Sequence, residues 1–104
     1  MTSISDNRRV LVYSQMDDNR RLRVINTFLL LEWRWDMTSR IATHPDGDQV
    51  VIARIETLDD AKRFAGLRLD GVVSLDGAEG SEEIYQYLRA LVRPGSSGMS
   101  VSIR

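Results

Sequence analysis

The sequence predicts one small α/β domain on a mixed β-sheet, and three observations carry that prediction. Short runs rich in β-branched residues recur at 10–13, 50–55 and 72–75. Segments with apolar residues at helical spacing stand between and after them. Turn or capping residues mark the switches from one pattern to the other.

The first run, Val10-Leu11-Val12-Tyr13, is apolar throughout and reads as a strand covered on both faces. After a polar turn, with Asp17 or Asp18 as N-cap, a helix is expected over about 19–32. Leu22, Ile25, Leu29 and Trp33 fall on one of its faces, and Val24, Phe28 and Leu31 widen that arc beyond the usual stripe. Such a helix packs against more than one layer or is covered in part by another chain.

Trp35, Met37 and Ile41 alternate with polar residues, so 34–41 reads as a strand with one solvated face. His44-Pro45-Asp46-Gly47-Asp48 is a turn, and the third strand, 50–55, follows as an antiparallel partner. Thr57 caps a helix over about 58–67, with Leu58, Ala61, Phe64 and Ala65 as its buried side. Asp70-Gly71 turns into the fourth strand, 72–75. Ser81 caps a last helix over about 82–92, with Ile84, Tyr87, Leu88 and Leu91 inward.

The order β-α-β-β-α-β-α fits two architectures. One is a small Rossmann-like three-layer domain with a hairpin edge. The other is a ferredoxin-like split βαβ sandwich with an extra C-terminal helix. Residues 1–94 are expected to form the domain. Residues 95–104 read as a Gly/Ser hinge and then either a short terminal strand, with Met99, Val101 and Ile103 alternating with polar residues, or plain disorder.

Composition removes several function classes. The formal net charge of −1 gives bulk electrostatic attraction to polyanions no support. The absence of cysteine excludes a disulfide framework, a thiolate zinc site and a cysteine nucleophile, and it fits a cytoplasmic setting. Residues 1–7 lack the apolar stretch of a secretory signal, and the longest apolar run, 28–31, is far short of the ~20 residues a membrane helix needs. Lys62 is the only lysine; the arginines are spread along the chain, as a GC-rich coding sequence would place them.

Four groups of side chains are candidates for function. Asp17 and Asp18 follow the first strand, and Asp76 and Glu79 follow the fourth. In a parallel sheet these loops meet at one edge and could hold Mg²⁺ for nucleotide or phosphate chemistry. Helix capping accounts for the same residues. The paired acids resemble a phosphoacceptor receiver domain in that feature alone. No aspartate ends the third strand, where Ile55-Glu56 stand, and no lysine follows the fourth.

The loop 77–81 offers glycines before a helix, but Asp76, Glu79, Glu82 and Glu83 would repel an anion there. Arg8, Arg9, Arg20, Arg21 and Arg23 could combine into a phosphate-contacting surface for nucleic acid. His44, the sole histidine, sits in a turn with no nucleophile motif beside it.

The remaining reading is a non-catalytic, self-associating interaction module, of the kind a small bacterial or phage accessory protein would be. Its contact residues would be Phe28, Leu31, Trp33 and Trp35, with Arg20 and Arg21 beside them and Met99, Val101 and Ile103 as a strand-adding tail. No cofactor is expected. The partner is a protein or a second copy, ahead of nucleic acid, and no membrane is involved.

Overall fold

A computed structural model describes residues 8–16 and 18–92. The elements run β1 (Arg9–Ser14), α1 (Asp18–Leu30), β2 (Arg34–Asp36), β3 (Ile41–Thr43), β4 (Gln49–Arg54), α2 (Leu58–Lys62), β5 (Gly71–Ser74) and α3 (Glu82–Arg89). The five strands form one sheet in the order β2-β3-β4-β1-β5. β1 is parallel to both β4 and β5, whereas β3 is antiparallel to β4 and to β2.

The direction of β5 decides between the two architectures. A ferredoxin-like sandwich would run it against β1; here it runs with β1, and both crossovers pass through helices. Helices therefore cover both faces, giving a three-layer α/β domain with a hairpin edge. Leu11, Tyr13, Val51, Ala53 and Val72 point to the face under α2 and α3, where they pack with Ala61, Ile84 and Leu88. Val12, Ile52 and Val73 point to the opposite face, under α1 alone, against Val24, Ile25 and Phe28. The alternation along the three parallel strands is what fills both layers.

Local chemistry sets the ends of the elements. Thr57 and Asp60 form a reciprocal capping box at α2, and Ser81 Oγ accepts the Ile84 N–H at α3. Past Lys62 the helical bonds tighten, with Phe64 N–H on Ala61 O and Leu67 N–H on Phe64 O, so α2 is shorter than its apolar spacing predicts. The 44–48 turn closes through His44 N–H on Asp48 O, with Gly47 at φ 104°, a conformation glycine adopts without strain.

The expected single strand over 34–41 is in fact two. Asp36 breaks it: its carboxylate accepts the Thr38 N–H at 2.8 Å and its carbonyl accepts the Arg40 N–H at 2.7 Å. The chain turns over 37–40 before β3 begins. Trp35 then packs on the α1 side, Ile41 on the α2/α3 side, and Met37 stands in solvent. The shared face that alternation assigned to these three residues does not exist.

α1 ends in a Schellman motif. Trp33 N–H reaches Phe28 O and Glu32 N–H reaches Leu29 O, which places Glu32 in the left-handed region at φ 67°. Glutamate is strained there and glycine is not. Glu32→Gly is expected to stabilise the domain by about 0.5–1 kcal/mol, read as a rise of a few degrees in Tm.

Among the described residues no helix is long and apolar enough to cross a membrane. The tail candidates Met99, Val101 and Ile103 lie outside the described residues, as does all of 95–104.

Candidate functional site

Because β1 and β5 are parallel neighbours, the loops after them meet at one edge of the sheet. A pocket of about 680 Å³ opens there, lined by Gln15, Met16, Asp18, Asn19, Arg20, Asp76 and Glu79. Three of the four predicted carboxylates thus share one concavity; the fourth, Asp17, lies outside the described residues.

Their bonding shows what these groups do. Asp76 accepts the Gln15 N–H at 2.7 Å, and the Gln15 side-chain oxygen accepts the Ser81 N–H at 2.5 Å. This relay ties the end of β1 to the cap of α3. Asp18 is ion-paired with Arg21, whose Nε–H also donates to Ser14 Oγ at 2.9 Å. Arg20 donates to the Leu75 carbonyl at 2.6 Å. Among the described residues no three His, Cys, Asp or Glu side chains gather as ligands for one metal ion. The loop from Gly77 makes a 3₁₀ turn at Gly77–Glu79 and leads into the Ser81 cap, with Glu82 and Glu83 in the first turn of α3. This negative surround disfavours a phosphate.

Tyr13 lies beneath this edge, 2 % exposed, with its hydroxyl hydrogen-bonded to Ser74. It is not the exposed aromatic that base stacking on the sheet requires. Burial raises its pKa above the usual 10.0, opposed by the Ser74 bond and reinforced by the negative charge of Asp76. Above pH 10 the unfolded chain ionises first, so stability falls as pH rises from 10 through the higher folded value. Urea titrations at pH 8 to 11 are expected to show that fall, and Tyr13→Phe is expected to reduce it.

The basic candidates do not form one surface. Arg8 and Arg9 stand at the start of β1, whereas Arg20, Arg21 and Arg23 follow its end, roughly 20 Å away by strand rise. Arg9 is bound into the sheet: its N–H donates to the buried Asp70 carboxylate at 2.9 Å, and its Nε–H donates to Gln49. His44 Nδ1 accepts the Asp46 N–H at 3.0 Å, and its ring meets the Trp33 ring edge-on at 4.9 Å. It closes a turn.

The aromatic candidates are absorbed into packing. Phe28 and Trp35 lie against the sheet on the α1 side, and the Trp33 ring centroid is 4.6 Å from that of Phe28. Comparison of the chain with family models, curated proteins and solved structures finds no match.

What sequence reasoning missed is the direction in which α1 faces. Its inner side is Arg21, Val24, Ile25 and Phe28, all partly buried, and Leu22 and Leu29, expected inward, are exposed. Leu31 is exposed as well, and Leu30, which the apolar arc did not include, is 84 % exposed. α1 has no fully buried residue at all. The signal was present in the sequence as an apolar arc too wide for one sheet face to cover.

Proposed function

We propose that this chain is a non-catalytic docking module that pairs with a second copy of itself through the outer face of α1. One observation supports the reading above the others. Every large hydrophobic side chain exposed among the described residues falls in one segment: Met16, Leu22, Leu29, Leu30, Leu31 and Met37, on α1 or in the chain flanking it. Scattered exposed leucines need no explanation, but a concentration on one element marks a contact surface.

Sheet coverage points the same way. Among the described residues the α2/α3 layer buries ten and the α1 layer three, so within them the α1 side of the sheet is the less covered.

Self-pairing suits this helix. In an antiparallel crossing centred on Asn26, Leu22 of one copy meets Leu30 of the other, and the helix dipoles oppose. The patch is small, so the association is expected on the order of micromolar. Sedimentation velocity across a concentration series is the test. A shift from monomer to dimer supports the proposal; monomer at every concentration up to the millimolar range removes it.

A further inference from the structure

The sheet has an open strand end away from α1, at the far end of β4. β4 pairs with β1 along its whole length, Gln49 to Arg54, but with β3 only over Gln49 to Val51. The last rung is Ile52 N–H on Arg40 O at 3.0 Å, after which the β3 side of the strand has no partner among the described residues. Ile55 N–H donates to Ser14 O, so Ala53 and Ile55 direct their main-chain groups at β1. By strand alternation the N–H and carbonyl of Arg54 then point outward, past Arg40. An open strand end of this kind is a template for an added strand.

Beside this edge is a depression of about 560 Å³, with Val51, Ala53 and Phe64 along it and Arg40, Arg54 and Arg63 around it. Two acids are also present, and both are engaged. Glu56 is ion-paired with Arg54. Asp60 accepts the N–H groups of Glu56 and Thr57 at 3.2 and 3.3 Å as part of the α2 cap. Neither Arg40 nor Arg63 makes an ion pair among the described residues. The local balance is therefore positive, next to an exposed donor and an exposed acceptor of the main chain.

We propose that this groove binds an extended peptide bearing carboxylate side chains, which adds as a short strand beyond β3 and places its acids against Arg40 and Arg63. A peptide satisfies both main-chain groups of Arg54. A nucleic-acid phosphate would satisfy only the N–H and would leave the Arg54 carbonyl without a donor. The site is separate from the outer face of α1, so the two surfaces can be occupied together.

The probe is a fluorescein-labelled peptide of alternating glutamate and valine, six residues long, followed by anisotropy and by amide shifts in a ¹⁵N-labelled full chain. Saturable binding below millimolar, with the Arg54 amide among the shifted signals, is expected. Reversing both charges in Arg40→Glu/Arg63→Glu is expected to weaken binding by about tenfold or more, since two charge contacts become repulsive. Backbone N-methylation of the peptide should abolish binding, which tests strand addition without altering the protein. The proposal is overturned by no binding at millimolar peptide, or by binding that leaves Arg54 unshifted. Equal binding of the lysine–valine counterpart or of a labelled oligothymidine also overturns it.

Discussion

Leu11→Ala is expected to remove about 2–5 kcal/mol, a large share of the roughly 5–10 kcal/mol that a domain of this size holds. Leu11 has no solvent exposure and lies on β1, the strand that pairs with both β4 and β5. Its side chain packs in the cluster that includes Val51, Val72 and Leu88. Truncation leaves a cavity between the sheet and two helices, and neither side can close it without breaking the other's packing. Urea unfolding should show a lower midpoint with an unchanged slope. A loss below 1 kcal/mol would mean that the α2/α3 layer is not the principal core.

The double substitution Leu22→Glu/Leu30→Glu is expected to weaken self-association by at least about thirtyfold and to leave the fold intact. Both side chains are more than half exposed in the single chain, so carboxylates there remain in water until two copies meet. In the pair they would face one another without partners, a loss of at least about 2 kcal/mol. The melting temperature of the dilute protein should hold or move only slightly, since exposed substitutions are usually within about ±0.5 kcal/mol. A variant that still dimerises like the parent would place the contact elsewhere.

Much of the fold was legible in the sequence because the three parallel strands carry unbroken apolar runs, and their helices open on good caps. Thr57 and Ser81 mark the starts of α2 and α3 in the structure as in the sequence. The break between β2 and β3 was not legible. Trp35, Met37 and Ile41 keep a strand's period, and the competing signal is one side chain, Asp36, bonding to the backbone two residues ahead. The direction of β5 was open for a related reason: the sequence marks the strand but not the sense in which it joins the sheet.

The candidate site was legible in part. Strand order brings Asp18, Asp76 and Glu79 to one pocket, as a parallel sheet requires, but the relay from Asp76 through Gln15 to Ser81 depends on a contact 66 residues long. No local pattern contains it. The facing of α1 was misread because its apolar arc spans more than half the helix. Periodicity shows that such an arc exists without showing which part meets the sheet. The long side chain of Arg21, reaching in to Ser14, takes an inner position that a hydrophobic count assigns to leucine.

The central claim is that the outer surface of α1 is covered when copies of the chain meet. Amide hydrogen exchange, measured at low and high protein concentration, reads that surface directly. Slower exchange at high concentration, confined to 18–37 with β1 and β4 unchanged, is the result expected. Exchange through 18–37 that is independent of concentration, in a protein that stays monomeric, would contradict it.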